Sequence, residues 1–225
     1  MRYLTYDKQT YDNPNPLARF AHRSRYQHAL SLALDLAGPR ATIVDYGAGL
    51  GDFLHRLAVA KPDSRLIGIE PNGPLAYPEL ETRACMEEFE DESVDCLCAF
   101  EVLEHLDSVQ IENFIEQARR ICKTNARVLI SVPIMRGLAL PVKEASRSLL
   151  YRCFSDHSLG ELIRGTLALE VERTDRLLYS HKGFDHLALF RRFARDFRNL
   201  RRFHSPMPGL PWWCNSQAFF VFSRK

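Results

Sequence analysis

Asp45, Gly47, Gly49 and Gly51 stand at alternate positions in IVDYGAGLGDF, residues 43–53, directly after a short apolar run. Glycines spaced this closely allow positive φ and a close approach of main chain to ligand. Where a strand passes into a helix, such a turn lies in the ligand-binding crevice of open α/β sheets. Three ligands suit it: a nicotinamide dinucleotide, a nucleotide phosphate, or a sulfonium nucleoside. They imply hydride, phosphoryl and methyl transfer, respectively.

Dinucleotide binding calls for G-x-G-x-x-G, and counting from Gly47 puts Asp52 in the third glycine's place. A carboxylate facing a pyrophosphate at a helix N-terminus is repulsive. No Gly-Lys-Ser/Thr follows, so a phosphate loop fits no better. Glu70, in GIEPN at the end of the next strand-like run, is placed to accept from both ribose hydroxyls. That feature suits a dinucleotide and S-adenosylmethionine equally. FEVLEHL, residues 100–106, directly follows another apolar strand-like run.

With these residues together, the chain resembles the class I S-adenosylmethionine-dependent methyltransferases, in particular the small-molecule branch with the LEHL signature, Leu103 to Leu106. The resemblance covers residues 40–135 well and the remainder loosely. It implies a Rossmann-like, mainly parallel seven-stranded sheet with helices on both faces and a helical insertion after strand five. It also implies S-adenosyl-L-methionine as cofactor. Asp45 and the main chain of Tyr46, Gly47, Ala48 and Gly49 would hold the methionine part, with Asp45 near the ammonium. Glu70 and Pro71 would lie at the ribose, and Phe100 and Glu101 would line the cofactor. The family's acid for the adenine amine falls at Cys85, followed by Met86, a departure that leaves Glu87 or Glu88 as alternatives. Arg25 would reach the cofactor carboxylate or be a solvated helix arginine.

The elements that must position these residues alternate in type. Residues 18–37 carry an apolar stripe at helical period and stop at Gly38-Pro39. Strands are expected at 41–47, 65–71, 82–86, 94–100, 126–134 and about 217–223, with helices at 51–60 and 108–123. This alternation implies right-handed crossovers and a parallel sheet. We expect a single domain over 1–225, with an N-terminal arm and helix in 1–38 and a helical lid or insertion over 135–180.

Transfer to a hydroxyl also needs a base, and histidine has a suitable pKa. The candidates are His105, His157, His181 and His186. SHKGFDH, residues 180–186, is the favoured region, with His181 or Asp185 lining the acceptor site; Asp185 as a helix cap is the alternative. Residues 135–169 carry leucines suited to a lid or a dimer contact. RRFARDFRNLRRF, residues 191–203, reads as one amphipathic basic element, either a solvated face or a contact for an anionic acceptor. The tail faintly resembles methyltransferases of surface-polysaccharide synthesis, which favours a saccharide or other small-molecule acceptor and O-methylation. RNA methylation through the basic patch and a non-catalytic binding module are the alternatives. Intact Asp45, Gly47, Gly49 and Glu70 argue against the latter.

Composition limits the remaining possibilities. The 225 residues suffice for one well-buried domain. A net charge of +2 makes any polyanion contact a matter of a local patch. The six cysteines form no CxxC pair and no zinc spacing, and are expected to be reduced. The start of the sequence has no apolar signal region and no run reaches ~18 apolar residues. A cytoplasmic protein without a membrane span is the expectation.

Overall fold

The computed structural model describes residues 16–71, 73–151, 155–173 and 181–225. The arm expected before residue 16, Cys153, and the 174–180 part of the insertion lie outside them. The chain divides into two compact units, one of residues 1–28, 133–186 and 203–218, the other of 29–132, 187–202 and 219–225.

The larger unit is built on β1 (Thr42–Tyr46), β2 (Arg65–Ile69), β3 (Glu81–Arg83), β4 (Val94–Phe100) and β5 (Cys122–Pro133). With β6 (Phe197–Ser205) and β7 (Gln217–Arg224) they form one seven-stranded sheet in the order β3-β2-β1-β4-β5-β7-β6. The pairs β3–β2, β2–β1, β1–β4 and β4–β5 are all parallel. This is a Rossmann-like α/β fold, as expected. Ile43, Val44, Leu97, Val128 and Ile130 are fully buried, which is why these strands read as continuous apolar runs rather than alternating ones. The register places Asp45 between Gly68 and Cys98. Cys96 and Cys98 are buried free thiols with their sulfurs 4.0 Å apart.

The helices are α1 (Pro16–Leu36), α2 (Asp52–Ala60), α3 (Ser108–Ile121), α4 (Ala139–Tyr151), α5 (Leu159–Thr166) and α6 (His186–Asp196). Phe53, Leu54 and Leu57 give α2 its buried face. Asp107 starts α3 through a capping box with Gln110, each side chain accepting from the other's main-chain N–H at 2.8 and 2.9 Å. In the smaller unit, α4 and α5 fall within the expected insertion. Gly165 of α5 lies against Leu140 of α4. Leu159, Ile163 and Leu167 remain exposed.

One expectation needs correction. Residues 191–203 are two elements, not one: α6 ends at Asp196 and β6 begins at Phe197. Phe193 and Phe197 are four residues apart, the spacing of one helix face, so the sequence reads on as helix. Their rings instead meet Phe222 of β7, at 5.5 and 6.5 Å between centroids. This phenylalanine cluster sets the edge strand, and it overrides local periodicity.

Gly68 carries a close approach beneath the glycine turn. A Cβ there would come within 2.7 Å of Leu75 and 2.9 Å of the Ala48 methyl. Gly68→Ala is therefore expected to cost about 1–3 kcal/mol by overpacking, read as a lower urea midpoint at unchanged slope. An unchanged midpoint would show that the turn yields freely.

Candidate functional site

The turn after β1 is stapled to the end of β2. The N–H groups of Gly47 and Ala48 both donate to Ile69 O, at 2.9 and 3.1 Å, and Gly49 N–H donates to Glu70 Oε2 at 3.0 Å. Gly47 has φ +76, and a Cβ there would meet Val102 at 2.6 Å, so glycine is required on both conformational and packing grounds. Gly51, also left-handed at φ 89, precedes α2 without a side-chain cap. Asp52, the residue that spoils the dinucleotide pattern, accepts from the Tyr77 hydroxyl at 2.6 Å. It thus belongs to the scaffold, with a helix N-terminus to favour its charge.

Asp45 is the electrostatic centre of this crevice. It is only 5% exposed, and burial pushes its pKa up to about 8, with the Glu70 carboxylate adding to the shift. Two acids at adjoining strand ends favour a positively charged ligand over a phosphate. S-Adenosylmethionine carries an ammonium and a sulfonium, so the donor set fits it.

The other cofactor candidates sit nearby within the same unit. Phe100 closes β4 with its ring edge-on to Phe53 at 5.1 Å. Glu101, at φ 55, is fixed to β5: its N–H donates to Ser131 O at 2.9 Å and its Oε1 accepts from Ser131 Oγ at 3.0 Å. Pro71 is exposed beside Glu70. Tyr46 packs edge-on against Phe114, and its hydroxyl pKa is raised by burial and then by Glu87.

Cys85 is extended and lies two residues beyond β3, and Met86 is buried in the short helical turn Met86–Glu88. Arg120 of α3 holds that turn by donating to Met86 O and Phe89 O, at 3.0 and 2.7 Å. The Cys85 thiol pKa is raised, first by its hydrogen bond with Glu87, and is no reactive thiolate. Glu88 accepts from Ala84 N–H and pairs with Arg83, while Glu87, near Tyr46, accepts from Asn113 Nδ2 at 3.5 Å and is hydrogen-bonded with Cys85, so both acids are engaged. The LEHL segment is a short helical turn, Leu103–His105, in which Leu103 and Glu104 are buried and His105 is exposed.

The remaining candidates lie in the smaller unit. Arg25 is on α1. His181, at φ 56, opens a turn closed by Phe184 N–H donating to His181 O. Lys182 anchors that turn to Glu161 at 2.9 Å and to Asp156 O, and its ammonium draws the Glu161 pKa down to about 2. Asp185 pairs with the Arg136 guanidinium at 2.5 Å. His186 is fully buried with its ring 5.2 Å from Trp212. His157 is buried 3.8 Å from Glu144, which accepts from Ser155 Oγ at 2.5 Å. These two histidines are core groups, which leaves His181 and the exposed His105 as the candidates for a base. Sequence reasoning missed Arg136 and Tyr77, because no local pattern links either to its distant acid.

A methyltransferase-domain family model matches residues 17–223. No curated protein matches the chain in sequence. Among solved structures, the PH0226 protein of Pyrococcus horikoshii is 12% identical, with a TM-score of 0.64 over 98% of this chain and 96% of that one. A TehB-like S-adenosylmethionine-dependent methyltransferase of Corynebacterium glutamicum is 13% identical, with a TM-score of 0.56 over 94% and 100%. The 1,6-didemethyltoxoflavin-N1-methyltransferase of Burkholderia thailandensis, solved with 1,6-didemethyltoxoflavin and S-adenosylhomocysteine, is also 13% identical at a TM-score of 0.56, over 89% and 78%. With a family match across nearly its whole length and a crevice whose charge calls for a cation, the chain belongs to the methyltransferase-domain family and is an S-adenosylmethionine-dependent methyltransferase.

Proposed function

We propose that the enzyme methylates a hydroxyl oxygen of a small-molecule acceptor, with a saccharide favoured. The observation that carries the cofactor half of this reading is the pair of acids, buried Asp45 with Glu70 acting on it, at the strand ends. Asp45 faces the ammonium of the methionine part. The main chain of Tyr46, Gly47, Ala48 and Gly49 lies along that part. One oxygen of Glu70 is tied to Gly49 N–H, which leaves its carboxylate oriented toward the ribose hydroxyls. Cys85 and Met86, with Glu87 or Glu88, lie at the adenine, and Phe100 and Glu101 line the same crevice.

S-Adenosylmethionine supplies a methyl group already activated by its sulfonium. The chain's own residues supply alignment and a dry site. His181 takes the acceptor's proton, and Asp185 orients the hydroxyl. The small-molecule class of acceptor draws support from the Burkholderia enzyme, whose structure holds 1,6-didemethyltoxoflavin and S-adenosylhomocysteine. The RNA reading has less support. Within the basic segment, Arg198 donates to Ser223 Oγ at 3.4 Å and Arg202 lies 5.0 Å over the Phe190 ring, so part of the patch stabilises its own fold. The helices of the 135–169 segment, with Leu159 and Ile163 exposed, suit a lid or a dimer contact.

Two outcomes follow for cofactor binding. Glu70→Ala is expected to weaken S-adenosylhomocysteine binding about 10–100-fold in calorimetry, the scale of losing hydrogen bonds to a charged group; wild-type affinity in the variant would remove Glu70 from the site. Affinity should also rise between pH 6 and pH 8. Asp45 is largely protonated below its pKa of about 8, and a bound ammonium favours the ionised form, so binding releases a proton. Titrations at pH 7 in buffers of different ionisation enthalpy should detect that proton, and Asp45→Asn should abolish it.

The same shift affects stability with a definite sign. The folded pKa lies above the unfolded value of 3.8, so the native state binds more protons and stability falls as pH rises from about 4 to 8. Thermal melts of the ligand-free protein should show this slope reduced in Asp45→Asn; equal slopes would deny Asp45 the buried charge.

A further inference from the structure

Arg136 and Asp185 define a second site, built entirely within the smaller unit. Arg136 lies three residues beyond the end of β5 and is only 8% exposed. With Glu170, Val171 and Gly183 the pair lines a cavity of about 150 Å³. Its walls are rigid for identifiable reasons. Gly183 has φ +70, and a Cβ there would come within 2.5 Å of Arg173 Cα, so the turn rests directly on the 172–173 main chain. The Arg173 guanidinium stacks over Phe184 at 5.3 Å. Arg164 donates to Glu170 O at 3.2 Å, which holds the remaining wall.

The charges select the ligand. An anion drawn to Arg136 would meet the carboxylates of Asp185 and Glu170. A simple cation would meet the Arg136 guanidinium. A group whose polar atoms both donate and accept avoids each penalty, since hydroxyls give their protons to Asp185 and Glu170 while their oxygens accept from Arg136. Buried Val171 offers an apolar wall for the C–H face of a small ring. The Arg136–Asp185 pairing keeps both groups oriented before any ligand arrives, which lowers the cost of ordering them on binding.

We propose that this cavity is the subsite for a neutral polyhydroxylated group, one sugar-sized ring, of the methyl acceptor. The proposal rests on the small-molecule O-methylation reading for its place in the reaction, and on the cavity alone for its ligand chemistry.

Saturation-transfer NMR on the full chain tests it, with methyl α-D-glucopyranoside and myo-inositol as probes, each measured with and without S-adenosylhomocysteine. Inorganic phosphate and ethanolamine serve as charged controls. The polyols should bind, and Glu170→Gln, at an exposed position, should weaken them about tenfold. Asp185→Asn should abolish the signal, with a thermal melt of each variant as the folding control. Absence of polyol binding, equal binding in Glu170→Gln, or preferential binding of phosphate or ethanolamine would overturn the proposal. S-Adenosylhomocysteine binding, followed separately by calorimetry, reports on the cofactor reading whichever way the polyol result falls.

Discussion

A carboxylate buried at the end of β1 against a second carboxylate at the end of β2 is the constraint around which the larger unit is arranged. Asp45 has lost its water and faces Glu70, so its proton is held to about pH 8. Such an arrangement is unfavourable in the ligand-free protein. It persists because the surrounding main chain over-determines it: Gly47, Ala48 and Gly49 are each tied by hydrogen bonds to Ile69 or Glu70. An arriving cation favours the ionised form of Asp45, which makes charge the basis of ligand choice here.

The neighbouring residues maintain that geometry. Tyr77 holds Asp52, Ser131 holds Glu101, and Arg120 holds the turn containing Met86. Each bond joins a loop residue to a distant strand or helix, so the crevice is rigid on several sides. The smaller unit uses the same device with full charges, in Lys182–Glu161 and Arg136–Asp185. Preorganisation of this kind is what a methyl-transfer site requires, since alignment and exclusion of water supply most of what protein can contribute.

The regular part of the fold was legible because parallel strands buried on both faces appear as apolar runs. Those around Val44, Leu97 and Val128 are unmistakable. The cofactor crevice was legible for a related reason: Asp45, its glycines and Glu70 fall at strand ends, where local sequence and tertiary position coincide. The edge strand β6 was not. Its residues 198–202 are all exposed, so it lacks the alternation that marks a half-buried strand, and helical spacing in the preceding phenylalanines masks its start.

Sequence by itself determined the class of fold, the strand-end crevice and the preference for a nucleoside bearing positive charge over a phosphate, because each depends on residues close together in the chain. Tertiary structure alone decided which histidines are core groups, that Glu87 and Glu88 are both engaged, and that Asp185 pairs with Arg136. Those outcomes depend on burial and on pairs far apart in sequence. Charges separated by 49 positions carry no local pattern, and only folding brings them within hydrogen-bonding distance.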